Sequence, residues 1–317
     1  MPPLPGPWSP ILDDARHYPS PHNSQPIMVR VTGESTAEVF YDAAGHGWAV
    51  TESLCGDDLD FAATDRAHLL GTVSLAPVDV TPAAREQLAA FHHRRTSRRP
   101  YQRTLVDPAV LDEVTAIAAG MGQTFGHTAD RGLVDELIRI NQETLFDDLR
   151  NDAVHAEILA WIRTSKRQAA ATRDGLSAQT MLLPGPLLGF AMRHRGMWEL
   201  PLVGTVFRRA YLATMRGVRQ LGWLTGPFHG PLDYVEAGRC FLRLWLAFTR
   251  HGVYLHPFGT VITNPRSHAA FVASAGITED AGRMAWMLFR FGHSTPPPVA
   301  LRRDLGAMLL DPAGGPV

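Results

Sequence analysis

Three segments of this chain combine side chains at spacings that suit chemistry. The first is Pro19-Ser20-Pro21-His22-Asn23-Ser24-Gln25-Pro26, where prolines bracket short hydrogen-bonding side chains. Fixed proline φ angles stiffen such a loop, and its amides and hydroxyls suit the polar edge of a planar heterocycle. The same residues also suit an Asx-type turn feeding a strand. The second is Arg94-Arg95-Thr96-Ser97-Arg98-Arg99-Pro100-Tyr101, with four arginines in six residues and two hydroxyls between them. Guanidinium forks at that density suit a phosphate. A solvated basic helix end also accounts for the run, because cations favour helix C-termini. The third is Arg302-Arg303, which follows Thr295-Pro296-Pro297-Pro298 and on its own reads as surface charge.

The charge inventory narrows what such segments can hold. Lys+Arg 30 against Asp+Glu 31 leaves a net charge of −1, which gives no overall reason to expect nucleic acid or an anionic membrane as partner. Lys166 is the only lysine, so any phosphate or carboxylate site must be built from arginine forks. Positive charge is nonetheless concentrated. Between Arg163 and Arg219 there are ten basic residues and only Asp174 and Glu199 as acids. That stretch lacks the interleaved aromatics of a nucleic-acid face. P-loop, GxSxG, HExxH and CxxC motifs are all missing. The histidines lack carboxylates at spacings that would complete a metal set.

The elements that must position these residues follow from patterning. With 45% hydrophobic and 19% charged residues, 317 residues suffice for a large core and exclude a disordered chain. Pro26–Thr32 and Ala37–Asp42 alternate as a hairpin, and a helix spans about Gly56–Leu70 before the short apolar run Thr72–Leu75. Thr81-Pro82 and Asp107-Pro108 each place a cap before a first-turn proline, opening two helices. Gly120–Gly126 reads as a helix end and loop. From Asp130 to about Thr164 two helices break near Asn151-Asp152. Asp233 and Glu236, at capping-box spacing, open a helix to Arg250. Val253–Leu255 is a strand, Asn264-Pro265 opens a helix ending near Gly276, and Ala285–Phe291 is a buried strand. Helices outnumber strands, and the strands fall in two groups, so the expected class is α+β. The two cysteines, Cys55 and Cys240, are expected reduced. With no signal-peptide pattern at Met1–Pro7 and no apolar run of spanning length, a cytoplasmic protein without stable membrane insertion is expected.

Taken in order, these segments resemble the nitroreductase superfamily of FMN-dependent oxidoreductases, and within it a branch with two degenerate halves fused in one chain. The resemblance rests on Pro19–Pro26, on Arg95–Tyr101, and on Arg290-Phe291-Gly292-His293 leading to Arg302-Arg303. Ala156–Trp161 with Arg173-Asp174-Gly175-Leu176 adds to it. It implies a nitroreductase-like α+β fold in which residues 1–90 form a degenerate N-terminal half. Residues 91–317 would form the C-terminal half, with a lid-like insertion at about 174–204. Ordinary members place the arginine-serine motif ahead of the Asn-x-Gln-Pro loop and bind FMN between subunits. Here the order is reversed, which implies an intramolecular pseudo-dimer holding one FMN.

Residue by residue, the resemblance puts Arg95 and Ser97 on the phosphate and ribityl chain. Arg99 goes to the flavin pyrimidine edge, where positive charge stabilises an anionic reduced flavin. Pro19, Ser20, Pro21 and Asn23 would line the ring system, and Arg302 or Arg303 would close on the phosphate. The implied activity is transfer of hydride or electrons between a reduced nicotinamide (NADH or NADPH) or another small-molecule substrate and an organic acceptor. No catalytic side chain and no metal are implied, because the cofactor supplies the redox chemistry. The other reading is an FMN-sequestering protein with little turnover. It is favoured by Ile27-Met28 where relatives carry Trp, and by the apolar stretch Thr180–Met192, which could equally be a lid or a packed crossover.

Overall fold

A computed structural model describes residues 4, 6–25, 27–32, 36–37, 48–54, 71–194, 196 and 201–309. The principal layer is a four-stranded antiparallel sheet of β4 (Thr124–Thr128), β7 (Gln220–Pro227), β8 (Tyr254–Pro257) and β9 (Arg283–Gly292), in the order β4-β7-β9-β8. The two strands at its heart, β7 and β9, are buried along most of their length, because helices cover both faces. One face packs Phe125, Leu224, Phe289 and Phe291 against α3 (Pro108–Gly120) and α10 (Pro231–Arg250). The other packs Leu221, Ala285 and Leu288 against α4 (Arg131–Arg150), α11 (Gly259–Thr263) and α12 (Pro265–Ala275). Alternation along a strand sends neighbours to opposite faces, so Arg290 points away from Phe289 and Phe291.

Local signals set many boundaries. Thr81 accepts from Ala84 N to cap α2 (Pro82–His93), and Asp107 accepts from Ala109 N to cap α3. Asn151 ends α4 and caps α5 (Asp152–Trp161) by accepting from Ala153 N and Val154 N. Asn264 caps α12, which ends at left-handed Gly276. Each cap satisfies amide donors that the first helical turn leaves open.

Three expectations need correction. Gly120–Gly126 is not only a helix end and loop, because β4 begins at Thr124 and pairs with β7 across Thr124–Thr128. The α10 helix starts earlier than expected, with Gly230 as its cap and Pro231 in its first turn. Asp233 instead accepts from His229 N, and Glu236 pairs with Arg239. Within the Pro26–Thr32 strand expectation, the described residues 27–32 form isolated bridges rather than a strand, Val29 pairing with Leu309 near the far end of the chain. The helix expected at Gly56–Leu70 and the strand expected at Ala37–Asp42 lie largely outside the described residues.

A second, three-stranded sheet orders β1 (Thr36–Ala37), β3 (Gly71–Pro77) and β2 (Trp48–Leu54) as β1-β3-β2. Its Val73 and Leu75 pack with α1 (Trp8–Ala15), Val29 and Leu309. Residues 162–214 contribute the parallel pair β5 (Ile162–Arg163) and β6 (Leu176–Ser177), then α6 (Lys166–Thr172), α7 (Ala178–Met181), α8 (Gly185–Arg193) and α9 (Pro201–Thr214). Among the described residues no helix is long and apolar enough to cross a membrane.

Candidate functional site

The Pro19–Gln25 loop is held in an unusual conformation. His22, Asn23 and Gln25 all take positive φ, at 51°, 54° and 51°. Left-handed backbone costs a side-chain-bearing residue about 1 kcal/mol, least for Asn, so the surroundings must enforce it. They do so with buried polar contacts. Asn23 Nδ2 donates to Gly175 O at 3.2 Å and Leu301 O at 3.0 Å, while Gly175 N donates to Asn23 O at 3.1 Å. Arg302 Nη1 donates to Asn23 Oδ1. Gln25, with no exposed surface, donates through Nε2 to Arg173 O and accepts from Arg303 N through Oε1. Ser20 Oγ accepts from Gln25 N. Gly175 itself is at φ +72°, and a Cβ there would lie 2.3 Å from Trp161 O, so only glycine fits beneath the loop.

Below this lies a buried ion cluster. Asp174 Oδ1 accepts from Arg163 Nε at 3.0 Å and Nη2 at 2.7 Å, and Oδ2 accepts from Arg303 Nη2 at 2.6 Å. Burial works to raise the Asp174 pKa, but hydrogen bonds from Arg303, Arg163 and Thr172 hold it below the ordinary value. Arg303, Asp174 and Arg163 thus anchor the loop's foundation.

The arginine segment approaches from the other side. Thr96 bridges Leu255 of β8, and Ser97 N donates to Leu255 O at 3.1 Å. Ser97, fully buried, shares a hydrogen bond with Ser294 Oγ at 2.8 Å. Arg94 is buried with its guanidinium 4.5 Å from the Trp245 ring centroid and donates to His17 O at 3.0 Å. Arg302 also reaches His17 O, at 3.4 Å, so the two segments converge on one carbonyl. Arg95 donates to His92 O and Arg94 O, and Arg99 turns aside to Pro296 O at 3.1 Å.

Between them lies a group of arginine and histidine side chains, with Glu157 3.9 Å from His22 Nδ1 at its edge. Arg290, with no exposed surface, donates to Thr214 O and Ser97 O and lies 4.8 Å over the Tyr101 ring, yet its buried Nε has no partner. Arg98 makes no hydrogen bond or ion pair among the described residues; burial and the neighbouring Arg290 lower its pKa to about 10. His256 is pushed well below the ordinary imidazole pKa by burial and by Arg98 and Arg290, and its Nδ1 is buried without a partner. His22 is lowered by burial and by Arg98, against the opposing pull of Glu157. Burial and the charges of Arg302 and Arg16 take His17 down to about 4. Arg302 falls to about 10 through burial and the nearby Arg95, and its Nε too is buried and unpartnered. Unmatched buried donors of one charge are costly unless an anion completes them.

The structure therefore brings Asn23 and Arg302 into contact and sets Ser20 and Arg303 as supports for the same loop. Ser97 faces Ser294, and Arg99 donates to Pro296 O. Pro19 and Pro21 both precede the left-handed residues. Sequence reasoning named Arg98 and Arg290 only within longer motifs and gave no site role to Arg98, His17, His256 or Arg290. Arg98 lies in the motif beside Arg99, and strand alternation at Arg290 between Phe289 and Phe291 was the available signal for a buried cation.

No protein-family model matches the chain, and no curated protein matches it. Solved structures do. A nitroreductase with bound FMN from Bacteroides fragilis aligns with TM-score 0.41 at 14% identity, covering 69% of this chain and 94% of its own. The FMN-dependent nitroreductase NfnB from Mycobacterium smegmatis, in complex with NADPH, gives 0.41 at 14%, covering 67% and 89%. A nitroreductase-like family protein from Bacillus cereus gives 0.39 at 12%, covering 72% and 94%. The chain is similar to nitroreductases. At this identity its own side chains must decide what it binds.

Proposed function

We propose that this protein is an FMN-binding oxidoreductase, with one FMN held where the His17–Gln25 loop, the Arg95–Arg98 segment, His256, Arg290 and Arg302 converge. The observation that supports this best is Arg98. Among the described residues it has no hydrogen-bond acceptor, and it lies within electrostatic reach of Arg290, His22 and His256. The donor set fits an FMN: a phosphate accepts from guanidinium forks, and a flavin pyrimidine edge accepts single hydrogen bonds. When bound, the flavin supplies hydride and electron transfer between a reduced nicotinamide or substrate and an organic acceptor.

The chain's own residues have simpler duties. Arg302 offers its unpartnered Nε, and Arg95 and Arg98 add positive charge that favours any negative charge held there. His256, kept neutral, offers its unpartnered Nδ1 to a ligand without adding a further cation. Asn23, Gln25, Arg303 and Asp174 hold the loop in its strained form and need not touch the cofactor. Because loop and arginine segment come from one chain, the arrangement supports a pseudo-dimer with a single site.

Titration of the flavin-free protein with FMN, followed by flavin fluorescence, tests the reading. One FMN should bind per chain. Arg98→Gln should weaken binding by about tenfold or more, and Arg99→Gln by less than about threefold. Failure of the unaltered protein to bind FMN overturns the proposal. Oxidation of NADH or NADPH with a quinone or nitroaromatic then separates enzyme from store, since a store would hold flavin with negligible rate.

A further inference from the structure

A cavity of about 630 Å³ opens beside the cationic cluster, lined in part by Arg103, Arg131, Arg216 and Arg219, with Asp135 as its one carboxylate. Asp135 is already engaged, accepting from Arg131 one helical turn away. Arg131 also donates to Val218 O. The other three guanidiniums have no hydrogen bond or ion pair among the described residues, and Arg219 Nε is buried without a partner. The floor is apolar, with buried Ile138, Met215 and Val218. A hydrogen-bonded turn carries Arg216 and leads into Arg219. Tyr101 N donates to Arg216 O at 2.8 Å, and Val218 N donates to Met215 O at 3.2 Å.

We propose that this cavity is a second ligand site, for a nucleoside diphosphate. Three unengaged guanidiniums on one rim suit a diphosphate, whose oxygens accept bidentate forks. The volume lies within the range of small-molecule pockets, and an apolar floor gives a nucleoside something to cover. Inorganic phosphate would use the rim and leave the floor bare. The site is distinct from the proposed flavin position, although Tyr101 and Met215 contribute to both surroundings. Tyr101 lies beneath Arg290, and Met215 Sδ accepts from Arg290 Nη1 at 3.1 Å.

Isothermal titration of the full chain with ADP, with inorganic pyrophosphate and AMP as comparisons, tests the site. One ADP should bind per chain, about tenfold or more tighter than either comparison ligand, and more weakly as salt rises. The double variant R216E/R219E should lose about thirtyfold or more in ADP affinity while keeping its FMN affinity. Should that variant fail to fold, Arg103→Gln with Arg216→Gln removes two donors without reversing charge, and about a tenfold loss is expected. No ADP binding, or unchanged affinity in a folded variant, overturns the proposal. So does competition between ADP and FMN, which would place ADP in the flavin position. Pyrophosphate binding as tightly as ADP would reduce the site to a general anion patch and overturn it too.

Discussion

The Arg302 guanidinium donates to the side-chain oxygen of Asn23, closing a contact between residues 279 positions apart. The two Asn23 amide protons are spent on Gly175 O and Leu301 O, so this one side chain joins three distant segments. The contact also aims Arg302 at the cationic cluster, since its Nη2 simultaneously reaches His17 O and Tyr18 O.

Replacing Asn23 with Ala should therefore act on stability and binding together. Buried carbonyls of Gly175 and Leu301 lose donors, and an alanine fits φ +54° less well than asparagine. A loss of about 2–4 kcal/mol in urea unfolding is expected, with weaker FMN binding. An unchanged unfolding midpoint would show that the stitch contributes nothing.

Asp174 sets an acid limb. Its folded-state pKa is lowered below the ordinary 3.8, so its stabilising contribution is fully present above pH about 3.8. It is lost as pH falls through the lower folded value, because the unfolded chain then binds the proton more readily. Asp174→Asn leaves buried Arg163 and half-buried Arg303 against a neutral group, and should cost about 3 kcal/mol at pH 7. Unfolding midpoints from pH 7 down to 3 should show the variant's deficit shrinking at the acid end.

The histidines act in a different window. His17 is lowered from 6.5 to about 4, so the unfolded state holds more protons between those values. Stability should be level above pH 6.5 and fall as pH drops toward 4, by up to about 1 kcal/mol per pH unit for this group. His17→Gln removes the titrating ring and should flatten that limb. The slope measured by urea midpoints across pH 4–7.5 decides it.

Gly217 is held at φ +79°, and a Cβ there would lie 1.6 Å from Tyr101 O. Gly217→Ala must push the turn off Tyr101, which breaks the hydrogen bond from Tyr101 N to Arg216 O. A loss of about 3 kcal/mol or more is expected in thermal or urea unfolding. A loss under about 1 kcal/mol would mean that the turn has room to move.

Much of the helical framework was legible in the chain itself. Thr81, Asp107, Asn151 and Asn264 cap helices through bonds to amides two or three residues away, so the signal and its partner lie together in sequence. The same holds for the α+β class and the apolar strand β9. β4 escaped notice because Gly126 gives it no side chain, and its pairing with β7 is a contact between segments about a hundred residues apart. The capping box at Asp233 failed because Pro231, which needs no amide partner, suits the first turn better.

The sequence by itself determined which residue types were available: arginines rather than lysines, a stiff polar loop, and a four-arginine run. Only the tertiary structure decided which of those arginines meet one another. Arg98 and Arg99 are neighbours of equal charge, yet one faces Arg290 and His256 while the other donates to Pro296 O. The chain bends at Arg99, and which side chain turns inward there depends on the sheet and helices packed against the segment. That packing, which no local pattern encodes, leaves buried nitrogens of Arg290, Arg302 and His256 without hydrogen-bond partners among the described residues.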